Sequence, residues 1–399
     1  MKTYSYRAMK DDGNKLEGVF EANSRDEVVG MITANGYYPL KIEEVAGKKS
    51  FEFNFRQRVT VKDLSIFCRQ MYTMLDAGVS ITNALNMLSN QITNPKLKTI
   101  IGEIEESVKK GDMLSEAMKR YKEFPQLLVS MVESGESTGN IDEMMLRMSV
   151  HFEKETKTQN KVKSAMIYPI ILAVVAIAAV GFILTFVMPA FTEIFNEEGA
   201  QIPLITRILI GASGFMTSYW YVLILIVVAM VVGIKAYAAT EDGELRFSIL
   251  RLKLPIIADL NKKIIVSRFT RTMSTLLSAG ISLVQALPIV SAVLGNKIAE
   301  QELNKIRERV VRGEGLSGPI AESDIFPDML ASMVRIGEES GALDDILNKT
   351  ADFYDEEVDQ AITSATAMLE PLMIIVMGVV IGIMVFAIMV PMFDMYTIM

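Results

Sequence analysis

Phe67-Cys-Arg-Gln-Met-Tyr-Thr-Met-Leu-Asp-Ala-Gly-Val-Ser80 returns 202 residues later as Phe269-Thr-Arg-Thr-Met-Ser-Thr-Leu-Leu-Ser-Ala-Gly-Ile-Ser282. The same offset pairs Gly111 with Gly313, Leu114-Ser115 with Leu316-Ser317, Phe124-Pro125 with Phe326-Pro327, and Gly135-Glu136 with Gly337-Glu338. It still holds at Gly139 and Gly341, at Pro169 and Pro371, and at Pro189 and Pro391. Residues 67–193 and 269–395 therefore align without a gap, and each copy passes from polar helical sequence into an apolar stretch. A period near 200 is far too long for a solenoid. The duplicated unit is a domain with its own membrane anchor.

Glycine and proline divide the first copy. Between Val61 and Lys163 the helical pattern breaks at Gly78, Asn94-Pro95, Gly111, Phe124-Pro125 and Gly139, which predicts about six helices. Ser80 and Ser282 stand where N-caps belong, and Ser282-Leu-Val-Gln285 has capping-box spacing. The second copy, 261–369, repeats the punctuation. Ahead of both copies, residues 1–45 read as a ββαβ unit: a strand through Tyr4, Tyr6 and Ala8, a turn at Asp11-Asp-Gly-Asn14, and a strand over Leu16–Ala22. A helix capped by Ser24 and Glu27 follows, stopped at Asn35-Gly36, and a third strand covers Tyr37–Glu44. Residues 46–60 read as a linker.

Three uncharged apolar stretches, 164–192, 208–234 and 370–393 after Glu370, exceed the roughly 20 residues a hydrocarbon core requires. Lys154, Lys157, Lys161 and Lys163 precede the first, and Lys235, Arg246, Arg251 and Lys253 follow the second. The intervening segment, 193–207, holds Glu193, Glu197 and Glu198 against a lone Arg207. Positive residues stay cytoplasmic, which predicts that 193–207 and the tail 394–399 lie outside. Both bundles and the connector 235–260 then lie in the cytoplasm. The fold expected is mainly α: a polytopic membrane protein with two homologous cytoplasmic six-helix bundles, three transmembrane helices and a small N-terminal ββαβ unit.

Composition agrees. The 399 residues are 50% hydrophobic yet 22% charged, with a mean hydropathy of +0.30, the mixture given by soluble domains attached to spans. A net charge of −8 gives no basic footprint for nucleic acid. One cysteine, Cys68, excludes an intramolecular disulfide framework, and the N-terminus lacks the apolar core of a signal peptide.

Catalytic apparatus is missing from the pattern. The single histidine, His151, faces Phe353 in the repeat alignment and reads as a packed helix position. Gly47-Lys-Lys-Ser50 resembles the end of a phosphate-binding loop, but Ile42 stands where its first glycine belongs. Asp344-Asp345 and Glu356-Glu357 are neighbours on helices and point about 100° apart, which suits solvent better than a metal cage. No enzyme activity, cofactor or metal site is expected. A small-solute transporter would need polar groups at mid-membrane, and only Glu370, at the mouth of the third span opposite Tyr168 in the alignment, comes near.

Two groups of residues remain as candidates. The turns Gly135, Glu136, Gly139 and Gly337, Glu338, Gly341 could present backbone and carboxylates to a partner, or simply end a helix before each span. Pro169, Pro189, Pro371 and Pro391 bracket the first and third spans and should limit helix continuity there. Gly378-Val-Val-Ile-Gly382 is a small-xxx-small pattern for close helix packing.

The duplicated bundle, the Gly135-Glu-Ser-Thr-Gly139 and Gly337-Glu-Glu-Ser-Gly341 turns, Lys161-Val-Lys-Ser-Ala-Met-Ile-Tyr-Pro169 and Glu370-Pro371 together resemble the type II secretion F family, which includes the PilC-like platform proteins of type IV pilus assembly. The resemblance covers essentially the whole chain, with Tyr168 departing from the acidic residue seen at Glu370. It implies a non-enzymatic platform in the bacterial inner membrane, coupling a hexameric assembly ATPase, and possibly a retraction ATPase, to pilins or pseudopilins. It also implies other inner-membrane assembly proteins as partners, membrane lipid around the spans, a homo-oligomer, and no nucleic acid. The type II secretion F protein is the alternative within the family.

Overall fold

In the computed structural model, residues 2–9, 15–22, 24–34, 36–44, 58–197 and 203–398 are described. The Asp11–Asn14 turn, Asn35 and most of the linker, with Gly47-Lys-Lys-Ser50, lie outside them. The chain divides into Met1–Arg58 and Val59–Met399.

The first unit has the ββαβ order. Strands β1 (Lys2–Met9), β2 (Lys15–Ala22) and β3 (Tyr38–Glu44) form an antiparallel sheet in the order β2-β1-β3, and α1 (Arg25–Ala34) packs on it. Alternation sends Tyr4 and Ala8 inward to meet Ala22, Val28, Ile32 and Ile42. Pro39 sits on edge strand β3, where the register shifts opposite Arg7 and Ala8, a position that needs no backbone donor. The Ser24 cap forms, with its Oγ accepting from the Glu27 N–H at 3.4 Å.

The second unit repeats its helices almost to the residue. The first copy gives α2 (Val61–Asp76), α3 (Ile81–Gln91), α4 (Pro95–Lys109), α5 (Leu114–Lys119), α6 (Gln126–Thr138) and α7 (Ile141–Phe182). A π-helical turn at Ile183–Val187 leads into α8 (Met188–Glu197), then α9 (Leu204–Ser218), α10 (Trp220–Ala238) and α11 (Glu241–Lys253). The second copy gives α12 (Pro255–Ser278), α13 (Leu283–Val293), α14 (Lys297–Val311), α15 (Ser317–Ala321), α16 (Asp328–Ser340) and α17 (Leu343–Ile398). The sixfold division expected of each bundle holds among the described residues. It follows from local chemistry: Gly78, Gly111 and Gly139, with Gly280, Gly313 and Gly341, all take positive φ where helices end. Asn94 and Asn296 cap α4 and α14 through backbone N–H groups at 3.0–3.3 Å. The Ser80 and Ser282 caps differ from expectation. Ser80 Oγ pairs with Thr82 Oγ1 and Ser282 Oγ with Gln285 Oε1, so neither hydroxyl reaches a helix N–H.

The cores of the two bundles join into one buried cluster, with Phe67 against Phe124 at 5.7 Å and their counterparts Phe269 and Phe326 at 5.2 Å. Three helices are long and apolar enough to cross a membrane among the described residues: Ile141–Ile194, Trp220–Ala238 and Leu343–Phe393. Two expectations are corrected here. The stretch 208–234 is not one helix, because the chain turns at Tyr219 (φ −125°, ψ 27°) and only α10 has spanning length. Bundle and span are also not separated at the prolines: α7 runs unbroken through Pro169, and α17 through Pro371 and Pro391.

Candidate functional site: the seam between the repeats

At Pro189 and Pro391 other groups take over the hydrogen bonds that proline cannot make. In the π-turn the Met188 N–H reaches back five residues to the Ile183 carbonyl, so the next carbonyl, that of Leu184, would need a donor from Pro189, which has none. Ser213 Oγ of α9 donates to it at 2.6 Å. In α17, Pro391 likewise leaves the Ala387 carbonyl without its i+4 donor, and Thr206 Oγ1 of α9 donates to that one at 2.7 Å. Thr206 and Ser213 are seven residues apart on one face and both are buried. Helix α9 is therefore a strap whose two hydroxyls replace equivalent missing bonds in both repeats. Sequence reading missed it; the signal was a pair of hydroxyls spaced i, i+7 in a mostly apolar helix.

The Gly-Glu turns have internal roles. Gly139 and Gly341 end α6 and α16 in the left-handed region, at φ 79° and 69°. A Cβ on Gly135 would lie 2.9 Å from both Ile141 Cα and Met144 Cγ, and one on Gly337 would lie 2.9 Å from Leu343 Cα. Each glycine thus admits the following helix into close contact. The Glu136 carboxylate accepts from the N–H groups of Leu114 (2.5 Å) and Ser115 (3.1 Å) and from the Ser115 hydroxyl. Glu338 accepts from the Leu316 and Ser317 N–H groups in the same way. Negative charge at a helix start offsets unpaired donors and the helix dipole. The carboxylates are turned into their own bundles rather than presented outward.

Between the repeats, α7 and α17 run side by side, and the alignment partners Tyr168 and Glu370 meet: the phenol donates to Glu370 Oε1 at 3.3 Å. Pro169 and Pro371 follow immediately. Lys161 pairs with Asp359, and Lys154 Nζ lies 2.8 Å from Asp352 and 3.6 Å from Asp355. Arg271 of α12, only 12% exposed, grips Asp352 and Asp355 at 2.6 Å each and Asn348 at 2.9 Å, and Arg268 binds Glu155 at 2.6 Å. Burial raises the Asp352 carboxyl, but hydrogen bonds from Lys154 and Arg271 outweigh it and hold it below its ordinary range. Burial also works against Glu155, where Arg268 prevails. His151 lies among Glu155, Arg268, Arg271 and Asp355, and burial lowers it to about 4, so it is neutral at pH 7.

Gly378 and Gly382 differ from expectation. Both are exposed, and a Cβ on either would meet nothing within 4 Å. Among the described residues no helix of this chain covers that stripe. No cluster of three or more histidine, cysteine, aspartate or glutamate side chains suited to a metal ion occurs among them either.

Comparison with known proteins places this geometry. The family model described as type II secretion system (T2SS) protein F matches twice, over 67–189 and 269–391, and the model of that protein's N-terminal domain matches 1–43. The chain is 36% identical to the type IV pilus assembly protein PilC of Thermus thermophilus, over 98% of both chains. It is 34% identical to the type IV pilus assembly protein TapC of Aeromonas hydrophila, over 99% of this chain and 96% of that one. To the type II secretion system protein F of the same organism it is 30% identical, over 94% and 98%.

Proposed function

The chain belongs to the type II secretion system protein F family, and from that membership we propose that it is the inner-membrane platform of type IV pilus biogenesis. It is a membrane protein with a duplicated helical domain. In this role it couples a cytoplasmic assembly ATPase to the insertion of pilins into the fibre. The observation that carries the pilus reading is the comparison within Aeromonas hydrophila, where the pilus protein is the nearer relative at 34% against 30% for the secretion protein. The secretion system remains the second reading, with the same architecture.

The geometry supports a mechanical role. Helices α7 and α17 are each continuous from bundle core to span, so a displacement of a bundle is passed into the membrane without an intervening loop. The shared core and the cross-repeat pairs Lys154–Asp352, Lys161–Asp359 and Arg268–Glu155 support movement of the two bundles as one body. Lysine and arginine at 154–163 and 235–253 support a cytoplasmic position for both bundles, with 193–207 outside. The open Gly378–Gly382 stripe supports contact with a second copy or with a pilin helix.

Deletion of the gene tests the reading. Loss of surface pili with normal exoprotein secretion is the expected result, and the reverse would assign the secretion system. Photocrosslinkers placed in the full-length protein at exposed Glu133 and Arg335 should capture an assembly ATPase in cells. Capture from neither bundle would refute motor coupling.

A further inference from the structure

Helix α11 and the start of α12 form a corner directly after the second span. Asn261 Nδ2 pins it by donating to the carbonyls of Arg251 (3.2 Å) and Ile257 (3.0 Å). Asn296, at the start of α14, donates to the Ser248 carbonyl at 3.3 Å, while Ser248 Oγ accepts from the Lys297 N–H at 3.1 Å. The outer face of this fixed corner carries exposed Ile249, Leu250, Leu254 and Ile257 among exposed Arg246, Arg251 and Lys253. The acidic residues of α11, Glu241, Asp242 and Glu244, are confined to its first turn, so the exposed apolar side chains at its end have basic neighbours, a combination that suits an anionic lipid surface.

Behind the corner lies an open groove lined by Lys163, Gln159, Arg251, Asn261, Gly295 and Arg268 among others. Its one acidic lining residue, Glu155, is already paired with Arg268. Lys163 and Arg251 make no ion pair among the described residues, so the groove carries uncompensated positive charge in a chain whose net charge is −8. Gly295, at φ 72°, leaves room for the Arg268 guanidinium, which a Cβ there would strike. Lys163 is five residues before Tyr168 on the unbroken α7, about 7.5 Å below the level of Glu370. That is within reach of a phosphate in the headgroup layer.

We propose that this groove binds the headgroup of an anionic phospholipid of the leaflet facing the bundles, with Lys163 and Arg251 holding the phosphate and the Ile249–Ile257 corner resting on the acyl boundary. The site rests on the cytoplasmic topology only for which leaflet supplies the lipid. The test uses full-length protein in a zwitterionic detergent, titrated with dioleoylphosphatidylglycerol, dioleoylphosphatidylcholine or inorganic phosphate. Retained lipid is counted by native mass spectrometry and stability is followed by melting. Phosphatidylglycerol should be retained and should raise the melting temperature, with phosphatidylcholine ineffective. Each basic residue at an anionic surface contributes about fivefold, so Lys163→Gln with Arg251→Gln should weaken retention roughly thirtyfold, and the charge-keeping Lys163→Arg with Arg251→Lys should not. On the unaltered protein, selectivity should fall as sodium chloride rises from 50 to about 500 mM. Equal retention of the two lipids, equal protection by phosphate, or selectivity unaffected by salt and by the glutamine variant would overturn the proposal. A reporter fusion at the C-terminus reads topology separately, so an error there leaves the binding result intact.

Discussion

Replacing Gly135 with alanine should destabilise the protein, while the same replacement at Gly102 should stabilise it. Both glycines lie inside helices, α6 and α4, where alanine is intrinsically better by about 1 kcal/mol. At Gly102 the new methyl meets nothing within 4 Å, so that gain should appear in full. At Gly135 the methyl would lie 2.9 Å from the backbone Cα of Ile141 and from Met144 Cγ, and 3.3 Å from the Asn140 carbonyl. Carbon atoms settle at about 3.5–4.0 Å, so α6 and α7 must part by roughly half an ångström or more. Met144 can swing away; the Ile141 backbone cannot move without its helix. Overpacking of this kind costs about 1–3 kcal/mol, so after the alanine gain the net loss is at most about 2 kcal/mol. At roughly 2–4 °C per kcal/mol, the scale of domains of about 150–250 residues, Gly135→Ala should melt lower by up to about 8 °C and Gly102→Ala about 2–4 °C higher. Differential scanning fluorimetry of the detergent-solubilised protein reads both. Shifts of the same sign would refute the close-approach argument, and Gly337→Ala must behave like Gly135→Ala because Leu343 Cα stands at the same 2.9 Å.

Further outcomes follow from the strap and the seam. Thr206→Val should cost about 1 kcal/mol by orphaning the Ala387 carbonyl, and much less when Pro391→Ala restores the backbone donor, a coupling read from the four melting curves. Arg271→Ala should cost about 2 kcal/mol, since it leaves Asp352 and Asp355 without their buried partner, whereas Lys161→Ala, a pair more than 40% exposed on both sides, should cost less than about 1 kcal/mol. Because His151 titrates near 4 when folded and near 6.5 when unfolded, the unfolded chain takes up the proton first as pH falls. Its contribution is full above pH 6.5 and is lost towards pH 4, about 2 kcal/mol between pH 7 and 5, and His151→Gln should flatten that part of the stability–pH curve. Tyr168→Phe should leave melting within about 1 °C, as its 3.3 Å bond is exposed, so any loss of piliation in that variant reports function at the seam rather than folding.

The elements that were legible in the sequence are those decided by local chemistry. Gly139 must sit at positive φ wherever α6 ends, and Asn94 before Pro95 can cap a helix without help from the rest of the fold, so the bundle boundaries could be read directly. Helix α17 continues through Pro391 against expectation because the rule that proline ends a helix assumes no outside donor. At Ala387 that donor is Thr206, 181 residues away in sequence, and no local pattern announces it. The second span was drawn too long for a related reason. Hydropathy treats 208–234 as uniform, although Ser213 is committed to Leu184 and holds its helix against the first repeat while α10 departs from Tyr219. Gly135-Glu136 and Gly337-Glu338 lie inside the last turns of α6 and α16, with only Gly139 and Gly341 beyond them, and whether Glu136 faces a partner or Leu114 depends on the position of α5.

The seam shows what divergence after duplication achieved. Two identical repeats packed about an axis through Tyr168 and Glu370 would place each residue of α7 against its own kind or its neighbour's on α17. Here the first repeat supplies Lys154 and Lys161, whose counterparts are Glu356 and Thr363. The second supplies Asp352 and Asp359, whose counterparts are Val150 and Lys157. Each cation therefore has its anion only on the other repeat. A homodimer of the first repeat alone would set Lys154 against Val150 and Lys161 against Lys157, keeping only Glu153, the counterpart of Asp355, near Lys154, and like charges facing one another are destabilising. Charge divergence thus favours pairing between the unlike halves, and it does so without using the Gly378–Gly382 stripe of α17, which stays open.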